Sequence, residues 1–129
     1  MKLGYTIVYV ADVAATTKFY HTAFGLETRF VHESGDYAEL ATGDTALAFA
    51  SFQLGDANFS EGYLRLNELD KPAGFEIAFT TDDVPKAVQD AVAAGAKLIA
   101  EPVVKPWGQT VGYVQAPDGM LIELCTSMS

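Results

Sequence analysis

The strongest constraint on this sequence is an internal repeat of secondary-structure signals. Alternating apolar residues, helix caps and turn residues predict a strand, a helix and three more strands in residues 1–52. The same order recurs in residues 75–129, and Asp12 and Asp83 are placed to cap the two helices. Halves of about 50 residues are too small to bury a stable core alone. The two βαβββ halves are therefore expected to pack together as one domain, 1–129.

The repeat predicts an α+β fold of two βαβββ modules. The modules are expected to pair about a pseudo-two-fold axis into one curved mixed sheet that encloses a cavity, with the helices outside. The predicted elements of the first module are strands 3–10, 26–33, 36–42 and 45–52 and helix 13–24. The predicted elements of the second module are strands 75–81, 97–104, 109–116 and 120–126 and helix 84–94.

Residues 53–74 join the two modules and are long for a connection within a compact domain. The segment is polar but contains Phe59, Tyr63, Leu64, Leu66 and Leu69, so a loose tether is not expected. It is interpreted as a connecting arm. It could cover a pocket, reach a second subunit or pack on the surface of its own chain.

Superposing the two halves relates four positions on the first and last strands of the modules. Matching Asp12 to Asp83, at an offset of 71, places Tyr5 over Glu76. At the far end of the modules, an offset of 74 places Phe49 over Glu123. Because side chains alternate along a strand, these positions are predicted to share the concave side. The full predicted concave set is Tyr5, Ile7, Tyr9, Leu47, Phe49, Ser51, Glu76, Ala78, Thr80, Leu121, Glu123 and Cys125.

The charge balance restricts the class of partner. The chain has 8 Lys and Arg against 17 Asp and Glu, for a net charge of −9. Such a chain repels phosphate backbones and anionic lipids, so neither nucleic acid nor a membrane is an expected partner. A cationic or neutral small molecule is favoured. The lone Cys125 and the absence of a signal-peptide pattern predict a cytoplasmic location.

The duplicated module resembles the vicinal oxygen chelate superfamily, which includes glyoxalases (lactoylglutathione lyases), bleomycin resistance proteins and extradiol dioxygenases. The resemblance covers essentially the whole chain. The small glyoxalase-like and bleomycin-resistance-like proteins are the closest in pattern. The matching pieces are Phe19-Tyr20, Phe24-Gly25-Leu26, Thr81-Asp82-Asp83-Val84, Gly95-Ala96, Pro106-Trp107-Gly108, Pro117-Asp118-Gly119 and Ile122-Glu123-Leu124.

The resemblance implies metal ligands on the first and last strands of each module in the metal-dependent members. The matching positions are Tyr5, Phe49, Glu76 and Glu123, where glyoxalases usually hold His or Gln, Glu, His and Glu. Only Glu123 matches in type and place. No cofactor is therefore expected. A residual site of Tyr5, Glu76 and Glu123 would offer only oxygen ligands, which suit Mg²⁺ or Mn²⁺ better than softer divalent metals.

The leading hypothesis is a metal-free small-molecule-binding protein that sequesters a cationic or aromatic ligand. The residues predicted to bind it are Tyr5, Phe49, Glu76, Trp107 and Glu123. A homodimer is expected, with the cavity completed either within one chain or across the dimer. The alternative is a metal-dependent lyase or isomerase similar to lactoylglutathione lyase, in which Glu123 is the catalytic residue, acting as ligand and base. A third hypothesis is a superfamily shell that serves only assembly or regulation.

Overall fold

A computed structural model of the chain describes residues 1–128 and contains both predicted modules. The elements of the first module are β1 Tyr5–Val10, α1 Val13–Phe24, β2 Thr28–Val31, β3 Tyr37–Leu40 and β4 Ala46–Ser51. The connection contains α2 Phe52–Asn58 and a single 3₁₀ turn, Leu66–Glu68. The elements of the second module are β5 Glu76–Thr80, α3 Val84–Ala94, β6 Lys97–Val104, β7 Thr110–Gln115 and β8 Leu121–Cys125. No helix within residues 1–128 is long and apolar enough to cross a membrane.

Local capping signals fix the two long helices. The Asp12 carboxylate accepts a hydrogen bond from the Ala15 backbone N–H at 3.0 Å, which satisfies a free donor in the first turn of α1. Asp83 does the same for α3 by accepting from the Lys86 N–H at 3.1 Å. Gly25 ends α1 at a φ of 72°, a conformation that favours glycine. Both helices have the predicted bounds.

The strands form two separate four-stranded sheets. Their orders are β1-β4-β3-β2 in the first sheet and β5-β8-β7-β6 in the second. The α+β class and the two-module organisation are confirmed, but the expectation of one continuous curved sheet is wrong. β1 and β5 are outer strands, and the modules meet instead through side chains. Helix α1 packs on α3, and the ring centroids of Phe24 and Phe79 lie 5.0 Å apart.

One face of each sheet is covered by the shared core, and the other, open face lies away from the two long helices. In the first sheet, the arm residues Phe59 and Tyr63 pack against Tyr9 at one end of this open face. Val8 and Phe49 are paired across β1 and β4, and both are buried under the helices. Because neighbouring residues point to opposite faces, Tyr5 and Ile7 lie on the open face, where they are 56% and 44% exposed. Register places these further residues on the open face of the first sheet: Tyr9, Tyr37, Glu39, Ala46, Ala48 and Ala50.

The connecting arm is held by an aromatic cluster that the sequence did not predict. The Tyr63 hydroxyl donates to the Phe52 carbonyl at 3.0 Å, and its ring lies directly over Gly55. The Arg65 guanidinium lies 4.3 Å from the Phe52 ring centroid and bonds the Asp56 carboxylate at 3.1 Å. Of the three roles considered for the arm, packing on its own chain is the one observed.

Candidate functional site

The open face of the second sheet gathers a tyrosine, two carboxyl groups and a thiol, which we call the carboxylate cluster: Glu76, Tyr113, Glu123 and Cys125. The β7–β8 register places Tyr113 directly opposite Glu123, and the β5–β8 register places Ala78 on the other side of Glu123. Glu76 precedes Ala78 by two residues, so it is a diagonal neighbour of Glu123 on the same face. The sheet ladder therefore brings these side chains together.

Hydrogen bonds within the cluster give its two carboxyl groups different roles. Burial, then a hydrogen bond to Glu123 and the charge of Glu123, raise the pKa of Glu76. Burial also acts to raise the pKa of Glu123, but hydrogen bonds from Cys125, Tyr113 and Glu76 outweigh it, and the net pKa is lowered. The Tyr113 hydroxyl donates to Glu123 Oε1 at 2.9 Å. Glu76 is therefore the carboxyl group of the pair that binds a proton more readily, and Glu123 is the one that ionises first.

The phenol and the thiol act only as donors in this arrangement. Burial and the Glu123 carboxylate raise the pKa of Tyr113 to about 12 and that of Cys125 to about 11. Both groups therefore remain protonated at neutral pH. The Cys125 thiol donates to the Phe79 carbonyl at 3.8 Å and is not a nucleophilic thiolate.

Phe49 lies in the core, so the prediction that it lines a ligand cavity is corrected. It is fully buried, and its ring centroid lies 4.7 Å from that of Tyr20 on α1. The strand register shows the reason. Ile7 and Ala78 are equivalent in the repeat; Ile7 pairs with Ala48 in the first sheet, and Ala78 pairs with Glu123 in the second. Ala48 is thus the equivalent of Glu123. A shift of one residue along a strand places the side chain on the opposite face of the sheet.

The same shift removes the neighbours of Phe49 from the predicted concave set. Leu47 and Ser51 alternate with Ala48 and Ala50 and therefore point to the covered side of β4. The open face of this strand carries alanines instead.

Tyr5 belongs to a second polar cluster, on the open face of the first sheet. The Tyr37 hydroxyl donates to Glu39 Oε2 at 2.8 Å, and the Arg29 guanidinium lies 3.3 Å from Glu39 Oε1. Burial, then Glu39 and the nearby Tyr5, raise the pKa of Tyr37 to about 12. The predicted association of Tyr5 with Glu76 and Glu123 is thus replaced by an association with Tyr37.

Trp107 lies in the turn between β6 and β7, at one end of the second sheet. Its side chain is 60% exposed, and its indole N–H donates to Gln109 Oε1 at 2.9 Å. The Gln109 amide in turn donates to the Thr126 carbonyl just beyond β8 at 2.9 Å. Of the predicted ligand-binding residues, Glu76, Trp107 and Glu123 therefore belong to one sheet, while Tyr5 and Phe49 do not.

The residues present do not fit the metal that the superfamily resemblance implies. The four equivalent positions are Tyr5, Ala48, Glu76 and Glu123, and the alanine side chain offers no ligand atom. Within residues 1–128, no three His, Cys, Asp or Glu side chains are grouped so that they could hold a metal ion. The all-oxygen site considered from the sequence is therefore not assembled.

Two of the clefts at the junction of the modules approach Glu123 no nearer than Ala78, its neighbour on β5. One, of about 440 Å³, is lined by residues that include Phe24, Leu47 and Phe79. The other, of about 580 Å³, runs along α1 to the turn before β8, where Asp118 lies. Neither is lined by Glu76 or Glu123, and Glu76 is exposed. These clefts therefore do not coincide with the cavity predicted around the carboxyl groups.

Sequence reasoning missed Tyr113, Glu39 and Arg29. The signal for Tyr113 was present, because alternation along the predicted strand 109–116 places it on one face with Val111 and Gln115. Its pairing with Glu123 required the register of the hairpin around Pro117-Asp118-Gly119. Glu39 could have been found in the same way from the strand that contains Tyr37.

Known proteins of similar sequence and structure agree with this architecture. The Glyoxalase/Bleomycin resistance protein/Dioxygenase superfamily profile matches residues 2–124. A glyoxalase-related enzyme from Fulvimarina pelagi superposes with a TM-score of 0.82 at 21% identity, over 98% of this chain and 88% of that one. A glyoxalase/bleomycin resistance protein/dioxygenase family enzyme from Burkholderia phytofirmans PsJN gives 0.80 at 22% identity, over 98% of both chains.

These structural likenesses establish the fold alone, because the identities are low. A search of curated proteins found no match. The profile match covers nearly the whole chain and agrees with the duplicated βαβββ order observed in the structure. The chain therefore belongs to the glyoxalase/bleomycin resistance protein/dioxygenase superfamily.

Proposed function

We propose that this protein binds an aromatic cation at the carboxylate cluster without a metal and thereby sequesters it. The observation that carries the proposal is the placement of Glu76 and Glu123 as diagonal neighbours on one sheet face, with the Tyr113 hydroxyl donating to Glu123 Oε1 at 2.9 Å. The pair sits on an open sheet face rather than inside the core. It can therefore be reached by a ligand.

The charge of the pair favours a cation. Two neighbouring carboxylates repel each other, and the charge of Glu123 is among the causes that raise the pKa of Glu76. An ammonium group relieves that repulsion and can donate hydrogen bonds to both carboxylates. The rings of Tyr113 and Trp107 lie on the same sheet or at its end. A cation over such a ring gains about 0.5–2 kcal/mol.

We propose that a second copy of the chain completes the site. The open face of the first sheet exposes Tyr5 and Ile7 beside small alanines, and exposed apolar patches commonly mark interfaces. In a two-fold dimer, the first sheet of each chain would face the second sheet of its partner, so two equivalent contacts would form. Sedimentation equilibrium should then give the mass of a dimer. A monomer at micromolar concentration would contradict this part of the proposal.

Calorimetric titration tests the ligand class. We expect 2-phenylethylammonium to bind and the neutral 2-phenylethanol, which has the same shape, to bind more weakly. Glu123→Gln should weaken cation binding by about 10- to 100-fold, the range for a hydrogen bond to a charged group. Glu61→Gln, which removes one negative charge from an exposed site, is the matched control and should bind like the parent. Equal affinities for both probes would overturn the proposal.

Metal titration tests whether the carboxylate cluster works without a metal ion. The parent protein should show no saturable binding of Mg²⁺, Mn²⁺ or Ni²⁺ that depends on Glu123. Stoichiometric binding that Glu123→Gln abolishes would overturn the metal-free function and favour a metal-dependent lyase or isomerase. A cytoplasmic location is part of the proposal and rests on the single, buried Cys125.

A further inference from the structure

We propose that the cleft of about 440 Å³ between the two modules is a second binding site, which takes an uncharged, largely apolar small molecule. We call it the module-junction cleft. Its volume lies within the usual range for small-molecule pockets, about 300–1,000 Å³. The inference goes beyond the proposed function and does not depend on it, because neither Glu76 nor Glu123 lines this cleft.

The module-junction cleft lies where the two sheets do not join. β1 and β5 are outer strands of separate sheets, and no ladder connects them. Thr6 on β1 and residues 77–80 on β5 both line the cleft. The space between the modules is thus a product of the two-sheet architecture.

The walls of the cleft are apolar and come from both modules. The Phe24 ring at the end of α1 and the Phe79 ring on β5 have centroids 5.0 Å apart, so one wall spans the junction. Leu47 is buried, and the other large apolar residues of the cleft are half-buried against the shared core: Phe24, Leu26, Ile77 and Phe79. A ligand placed here would therefore bury apolar surface on both modules.

The lining of the cleft selects against charge. Among residues 1–128, none of those that line it carries a charged side chain, and its polar side chains are threonines. A charged ligand would lose hydration in the cleft without gaining a counter-ion. The net charge of −9 further disfavours an anion. An uncharged ligand incurs neither cost.

The free edge of β5 offers the cleft a backbone donor and acceptor. The Thr81 N–H donates to the Cys125 carbonyl of β8 at 2.8 Å. Because backbone groups point alternately to the two edges of a strand, those of Ala78 and Thr80 point away from β8, to the edge that no strand covers. Both residues line the cleft. An apolar ligand that carries one N–H or carbonyl group can therefore hydrogen-bond to β5.

A pair of fluorescent probes tests the ligand class. N-phenyl-1-naphthylamine is uncharged, aromatic and carries one N–H group. We expect it to bind saturably, with one probe per chain. 8-Anilino-1-naphthalenesulfonate adds a sulfonate to the same ring system, and should bind at least about tenfold more weakly because its charge gains no counter-ion. Equal or tighter binding of the sulfonate would overturn the proposal.

Thr6→Phe tests the location, because the added ring would occupy part of the cleft. It should weaken binding of N-phenyl-1-naphthylamine by about tenfold or more. Thr28→Phe is the matched control, since Thr28 is an exposed strand residue that does not line the cleft. Glu123→Gln should also bind the probe like the parent, whether or not the carboxylate cluster binds a cation. Unchanged affinity in Thr6→Phe, or equal losses in Thr6→Phe and Glu123→Gln, would overturn the site.

Two measurements keep the test decisive if Thr6→Phe does not fold. In the parent protein, N-phenyl-1-naphthylamine should shift the amide NMR signals of Ala78 and Thr80 and leave that of Thr28 in place. Shifts confined to residues outside the cleft would contradict the proposal. Sedimentation equilibrium examines the competing occupant, a second copy of the chain. If the probe dissociates an assembly of the parent, a second copy covers the cleft and the small-molecule site is refuted.

Discussion

Gly119 provides a sharp test of how the connecting arm is anchored to the second module. The residue ends the Pro117-Asp118-Gly119 turn before β8, at a φ of 98°. A Cβ added there would lie 2.5 Å from the Leu66 carbonyl oxygen and 2.7 Å from the Asn67 nitrogen. Both are backbone atoms, so they cannot move aside by a side-chain rotation. Gly119→Ala should therefore either displace the arm or distort the turn.

The expected destabilisation is the sum of two effects. A left-handed conformation costs an alanine about 1–2 kcal/mol. Overpacking against a well-packed neighbour adds about 1–3 kcal/mol. Gly119→Ala should thus lower the free energy of unfolding by about 2–5 kcal/mol, a large part of the stability of a domain of this size.

Gly43→Ala is the matched control for urea unfolding. Gly43 has a nearly identical φ of 97°, but no atom lies within 4 Å of an added Cβ. It should therefore show only the conformational effect of about 1–2 kcal/mol. The difference between the two variants measures the close approach of the arm. Equal destabilisation of the two variants, within error, would refute the reasoning.

Two further predictions concern the core. Phe49→Ala should lower the free energy of unfolding by about 3–5 kcal/mol because the ring is fully buried; a loss below 1 kcal/mol would contradict its placement. Burial raises the pKa of the Asp118 carboxyl above its ordinary value of 3.8. The folded state therefore binds a proton at Asp118 more tightly than the unfolded state does, and protonation of Asp118 stabilises the fold increasingly as pH falls toward 3.8. Asp118→Asn retains an acceptor for the Met120 N–H and cannot titrate. The stability of the parent relative to this variant should therefore increase from pH 7 to pH 4, and a difference that is flat or decreases would contradict the shift.

The elements that sequence predicted best are those with local causes. Asp12, Gly25 and Asp83 act within one helical turn of their own positions, and the bounds of α1 and α3 followed directly from them. The repeat then fixed the two-module organisation. Neither inference required knowledge of a distant contact.

The sequence predictions were wrong where the position of a residue depends on strand register or on contacts with distant parts of the chain. Phe49 and Ala48 are both apolar, so nothing local revealed which of them faces the helices. Only pairing with β1 places Ala48 on the open face. Helix α2 was missed because its signals are weak. It contains Gly55, and it is held by Tyr63, which lies outside the helix.

The candidate site was predictable in part. Glu123 stood out as a carboxylate in an apolar strand, and the repeat pointed to Glu76. Their placement side by side and the donor Tyr113 depend on the register of three strands, which the sequence does not reveal. The expected association with Tyr5 assumed one continuous sheet, and two separate sheets place it elsewhere.

Proton release on binding tests the central claim most directly. If a cation replaces the proton held by Glu76, calorimetry in buffers of different ionisation enthalpy should detect release of a proton as 2-phenylethylammonium binds. The measurement is best made just above pH 4.5, the ordinary carboxyl pKa, because the pKa of Glu76 is raised above that value. The account predicts proton release by the parent and a clear loss of that release in Glu76→Gln. Binding with no proton release, or with the same release in Glu76→Gln, would contradict it.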